Sequence, residues 1–244
     1  MRHAKTLVMG TLVSLGMVGI ASAQAPQTEP PAQDQKTPPP SHDQKPEPSA
    51  QQQQQGQDLV GEKLEKAHES VTSNNMTEAA TQMREAAKEI QTLATSSPKA
   101  DRKHLKKAEK ELDATAKKIE GGQTVEQKAA EITLAETARS LASFHQTEAE
   151  RALKSKDHKG LASHLEQGGK DLGRAAKWTG IETERGVRDV VGGTIEVSGK
   201  ITEGVGEIPK ETGQVIKDLG RGIDRVGKDV TAKRKTNAKT AKEG

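Results

Sequence analysis

Asp58 to Ala94 reads DLVGEKLEKAHESVTSNNMTEAATQMREAAKEIQTLA, two runs of apolar residues at helical spacing on either side of a short polar break. Val60, Leu64, Ala67 and Val71 recur at steps of four, three and four, which puts them on one helical face and predicts a first helix to about Ser73. Asn74-Asn75 predicts a turn. Asn75 with Glu78 three residues on has the spacing of a capping box, so a second helix opens there, with Met76, Ala80, Met83, Ala87, Ile90 and Ala94 on its face. A break this short forces the two helices antiparallel. The fold class follows: all-α, an antiparallel up-and-down helical bundle.

Downstream the same pattern continues. Ser97 can cap and Pro98 suits the first turn of a third helix, whose face is Leu105, Ala108, Leu112, Ala116 and Ile119, with Gly121-Gly122 at its end. Thr124 with Gln127 repeats the capping-box spacing and opens a fourth helix carrying Ile132, Ala135, Ala138, Leu141, Ala142, Ala149 and Ala152. After a turn at Lys156-Asp157, a fifth helix shows Leu161, Leu165, Leu172 and Ala176. The bundle therefore spans 58–178. Ala67 to Ala94 aligns without a gap on Ala149 to Ala176 at an offset of 82, pairing Val71 with Leu153, Asn75 with Asp157, Met83 with Leu165 and Ile90 with Leu172. The pattern Ala149, Ala152, Leu153, Asp157 and Leu165 resembles the helical hairpins of tetratricopeptide-like repeats and of the YfdX family of exported bacterial helical proteins. The second resemblance implies a role in envelope stress.

Upstream, Arg2 and Lys5 precede an apolar run that ends in Ala21-Ser22-Ala23, the layout of a secretory signal peptide over 1–23. Export to a periplasmic or extracellular space is the expectation. Residues 24–57, with Pro38-Pro39-Pro40 and Gln51 to Gln55, carry almost nothing to bury and are expected to form a disordered linker. The chain has 244 residues and no cysteine, so packing alone must hold the fold. With one Phe, one Trp and no Tyr, the core is built from small aliphatic side chains, and sugar stacking and single-strand nucleic-acid platforms lose their usual residues. No specific nucleic-acid partner and no cofactor are expected.

Beyond the bundle, 179–230 holds glycine at every seventh residue: Gly192, Gly199, Gly206, Gly213, Gly220 and Gly227. Written in sevens, this segment places Ile195, Ile216, Ile223 and Val230 in one column and Val205, Leu219 and Val226 in another, an amphipathic stripe with glycines along one edge. An interior glycine costs a helix about 1 kcal/mol relative to alanine, so this helix needs a contact to exist. Three outcomes are open. The stripe packs on the bundle or on a second copy through its glycine edge. It lies in a membrane interface, with Lys217, Arg221, Arg225 and Lys228 outside. Or it stays disordered and resembles late-embryogenesis-abundant proteins. Pro209 favours two helical pieces over one rod. The basic end, 231–244, with Lys233, Arg234, Lys235, Lys239 and Lys242 against Glu243, reads as a solvated disordered tail able to touch anionic lipid or cell-wall polymer.

Chemistry-bearing constellations are few. Glu65 with His68 has the Glu-x-x-His spacing of di-iron bundles, and Asp101 with His104 is its aspartate version, so these four are the candidate metal ligands of a rival reading, a ligand or metal carrier. Solvated surface pairs are the default expectation. His145 falls among Leu141, Ala149 and Ala152 beside Phe144, where a half-buried imidazole could act as a pH switch. There is no Cys and no Gly-x-Ser-x-Gly, and an enzyme is not expected. The reading that remains is a non-enzymatic exported protein with a structural, protein-binding or stress-protective role, touching a partner helix or a membrane surface through 180–230.

Overall fold

The computed structural model describes residues 50–182, 184–204 and 210–243, with side chains over 59–99, 102–182, 184–204 and 210–239. The helices are α1 (Ala50–Thr72), α2 (Met76–Ser96), α3 (Lys99–Glu120), α4 (Gln127–Ser155), α5 (His158–Thr179), α6 (Arg185–Thr202) and α7 (Thr212–Glu243). Among the described residues there is no strand, and the chain is an all-α helical bundle. The expected leader and the linker as far as residue 49 lie outside the described residues, as do Val205, Gly206 and Pro209. The expected linker boundary at 57 moves, because α1 already begins at Ala50. Past Pro48 the chain offers Gln51 to Gln55, unbranched side chains that lose little freedom in a helix.

Local chemistry sets most of the helix ends. The Glu78 N–H donates to Asn75 Oδ1 at 3.4 Å, the expected cap of α2. Asp157, its counterpart at the offset of 82, caps α5 in the same way, accepting from the Gly160 N–H at 2.9 Å. The two aligned hairpins thus turn on the same device. Two expected caps are corrected. Ser97 does not cap α3; its buried hydroxyl turns back and donates to the Leu93 carbonyl at 2.5 Å, while Arg102 closes the end of α2 by donating to Ala94 O at 3.1 Å and Ser97 O at 3.0 Å. Thr124 does not open α4, whose N-cap is Glu126 without a side-chain bond. Val125 packs against the core and holds the residues before Gln127 out of the helix.

Cross-helix contacts fix the up-and-down order. Ser198 Oγ donates to Ala162 O at 2.8 Å while Gly169 faces Thr194, so α5 and α6 run antiparallel. Lys200 with Glu211 at 3.5 Å and Arg225 with Glu184 at 3.1 Å tie α6 to α7 in the same sense. Gly220 against Gln146 and Gly227 against Arg139 set α7 antiparallel to α4.

The expected apolar faces of the first five helices are buried apart from Met76 and Ile119, which are partly buried at the helix ends. Val60, Leu64, Met83, Ile90, Leu105, Leu112, Leu134 and Leu172 are all 0% exposed. The expected domain boundary at 178 is corrected, because Leu219, Ile223, Val226 and Val230 of α7 belong to the same core cluster as α1 to α5. Ile216 joins a second cluster, with Ala149, Ala152, Leu161, Leu165 and Val197, at the α4–α5 turn. The basic end is corrected as well: α7 stays helical to Glu243. Lys233 Nζ donates to the Thr179 carbonyl and Arg234 Nη2 meets Glu111 Oε2 at 3.1 Å, anchors that a solvated tail would lack.

Candidate functional site

The two clusters are separated along α4 and α5 by a polar layer. On α4 the break falls between Phe144 and Ala149, and on α5 between Leu165 and Leu172. His145 fills the gap from α4. It is 1% exposed, deeper than the half-burial its neighbours imply. Its Nδ1 lies 3.2 Å from Nδ1 of His164, and its Nε2 lies 3.6 Å from Asp171 Oδ2. Asp171, 3% exposed, accepts from Arg174 Nη1 at 2.7 Å, and Arg174 reaches on to Glu65 of α1 at 3.4 Å. The result is a chain of polar contacts from His164 through His145, Asp171 and Arg174 to Glu65.

Electrostatics keep both rings neutral near pH 7. Burial, then the neighbouring His164 and Arg174, hold the His145 imidazole well below the usual histidine range. Asp171 binds Arg174 through Oδ1 and turns Oδ2 toward His145 at the longer distance of 3.6 Å. His164 is lowered to about 4 by burial, with Asp157 opposing and Arg151 adding. Two neutral rings satisfy the short contact when one Nδ1–H donates to the other. Donation from His164 leaves the His145 Nε2–H facing Asp171.

Sequence reasoning missed His164, Asp171 and Arg174. Their signal was present in α5, where His164 and Gly168 occupy positions of the Leu161, Leu165 and Leu172 face. Gly168 is what allows this layer to close. A Cβ there would lie 3.0 Å from Leu219 Cδ2 and 3.2 Å from His145 Cβ. Gly222 is similar, with Leu172 Cδ2 only 2.7 Å from its would-be Cβ.

The heptad glycines divide differently from the expected contact edge. Gly220 and Gly227 face the flexible ends of Gln146 and Arg139, whereas Gly192, Gly199 and Gly213 have nothing within 4 Å of a would-be Cβ. The close approach belongs to Gly168 and Gly222, off that heptad column. Among the stripe residues, Ile216, Leu219, Ile223 and Val226 are buried. Ile195 is not; it is 43% exposed. Gly168→Ala is therefore expected to destabilise the chain by about 1–3 kcal/mol through overpacking. Gly192→Ala, in open space within α6, is expected to stabilise it by about 1 kcal/mol. Urea unfolding of the two variants against the parent checks both signs.

The candidate metal ligands serve other contacts. Glu65 pairs with Arg174, and His68 stacks on Trp178 with ring centroids 4.9 Å apart. Burial lowers the His68 pKa. His104 is exposed on α3, and the Asp101 side chain lies outside the described residues. Among the described residues no three His, Asp or Glu side chains converge on one point. None of the described helices is long and apolar enough to cross a membrane. No family model matches the chain, and the comparisons with curated proteins and with solved structures found no match.

Proposed function

We propose that this is an exported, non-enzymatic helical-bundle protein with a structural, protein-binding or stress-protective role in the cell envelope, and that it makes its contact through the outer face of α6. The observation that carries this reading is that Gly192 and Gly199, three residues before and four after Ile195 on one face of α6, have nothing within 4 Å of a would-be Cβ, and Ile195 is one of two large apolar side chains exposed among the described residues. Each glycine weakens α6 by about 1 kcal/mol relative to alanine, and no close packing within the chain requires it. A flat strip of this kind admits the backbone of another helix. The partner is a second copy or another helical protein. The resemblance of the hairpins to YfdX proteins supports the envelope setting.

Light scattering of the full chain across a concentration series tests the self-association arm. The parent should associate, and Ile195→Glu, or Gly192→Leu with Gly199→Leu, should shift it to monomer. Because the sequence has no cysteine, Gly199→Cys gives one defined cross-link on oxidation. A parent that stays monomeric, retains no helical partner and binds anionic vesicles unaffected by Ile195→Glu would sink this reading. Stoichiometric metal in the purified protein, lost on changing His68 and His104, would select the carrier reading instead.

A further inference from the structure

A separate surface, on α3, differs in chemistry from the outer face of α6. On α3, Lys99, Lys103, Lys106 and Lys110 recur at steps of four, three and four, so they share one face and advance by roughly 4.5–6 Å per step along the axis. All four are exposed, and none has an ion-pair partner among the described residues. A shallow groove of about 590 Å³ follows this face, and six of its seven lining residues are Lys or Arg. The seventh, Glu111, is already held by Arg234 at 3.1 Å. Arg102 is tied to the carbonyls that end α2, and Lys107 lies within 3.6 Å of Glu136. Six of the groove's lining side chains are cationic against one carboxylate, although the chain as a whole carries only +3.

We propose that this face of α3 is a docking strip for a linear, phosphate-bearing polyanion without bases. A lysine receives phosphate as a point charge from any direction, which suits a flexible polymer with no fixed geometry. A membrane fits less well. A plane averages charge over a Debye length of about 8–10 Å and meets the flanking acids too. The large exposed apolar residues that could insert, Leu59 and Ile195, are on α1 and α6. Single-stranded nucleic acid binds by stacking on exposed rings, and Phe144 and Trp178 are buried at 6% and 8% exposure.

The test is fluorescence anisotropy of labelled inorganic polyphosphate with the full chain over a salt series. Binding should weaken with a log–log slope of about −3, roughly −0.7 for each of four lysines engaged. The combined variant Lys99→Gln, Lys103→Gln, Lys106→Gln and Lys110→Gln should bind at least about tenfold more weakly with a flatter slope. Its helicity and melting should match the parent, since glutamine and lysine have similar helix propensity. Three results would overturn the strip: parental affinity in that variant, loss of binding only on changing Lys233, Lys235 and Lys239, or tighter binding to phosphatidylglycerol vesicles or duplex DNA than to polyphosphate at equal phosphate.

Discussion

Deleting residues 210–244 is expected to abolish cooperative unfolding of the remaining bundle. Ile216, Leu219, Ile223, Val226 and Val230 are between 0% and 4% exposed, so α7 is core by burial even though its sequence reads as an appendage. Burying one such side chain contributes roughly 1.5–3 kcal/mol, so the five together contribute on the order of 10 kcal/mol before the ordering entropy of α7 is subtracted. The loss does not stop at α7. Its removal uncovers Leu172, which packs against Gly222, and opens the side of Gly168 where Leu219 and His145 both lie close. Total stabilities of domains run at about 5–15 kcal/mol, and a core of alanine and leucine has little in reserve. Thermal melting followed by circular dichroism should show a broad, low transition for the truncated chain. Leu219→Ala alone should cost about 2–5 kcal/mol. A truncated chain that melts like the parent would return α7 to the status of an independent conditional helix.

The second large effect is acid lability. His164 is held at about 4 and His145 well below the usual range, whereas both titrate near 6.5 once unfolded. Below about 6.5 the unfolded chain therefore takes up protons that the native chain refuses. Native stability is full above that pH and is lost as pH falls toward 4 for His164, and further for His145. Each histidine contributes a slope of about 1.4 kcal/mol per pH unit within its window, so going from pH 6.5 to 5 removes about 2 kcal/mol per ring. His68, lowered by its own burial, acts in the same direction. Urea unfolding at several pH values measures the slope, and His164→Gln should reduce it by one ring's share. Stability that stays level between pH 7 and 5, or an NMR titration placing His145 near 6.5 in the folded chain, would contradict this account. Because Leu219 and His145 lie against the same glycine, Gly168, the same protonation is expected to loosen α7 first.

Much of the fold was legible. The faces of the first five helices, the Asn75 cap, the turn at Lys156-Asp157 and the buried heptad columns of α7 all follow from spacing, since a helix places residues three and four apart on one side whatever surrounds it. The two caps that moved failed for tertiary reasons: Ser97 and Val125 are pulled inward, and burial overrides a local capping preference worth about 1 kcal/mol. The site was less legible. His145 was visible as an inward histidine, but His164 and Asp171 lie 19 and 26 residues away, and only the antiparallel register of α4 against α5 brings them to it.

The glycines show where the division falls. Sequence by itself determined the period of 179–230, which residues form its apolar stripe, and that an unsupported helix there would be weak, because periodicity and propensity are local properties of the chain. It could not determine what the stripe touches, because that depends on a complementary surface built by residues far away. The tertiary structure decided it: Leu141, Leu172 and the groove over Gly168 receive α7, whose Gly222 admits Leu172, while Gly192 and Gly199 of α6 are left facing outward. Contact free energy, which only the assembled bundle supplies, turned a penalised segment into core.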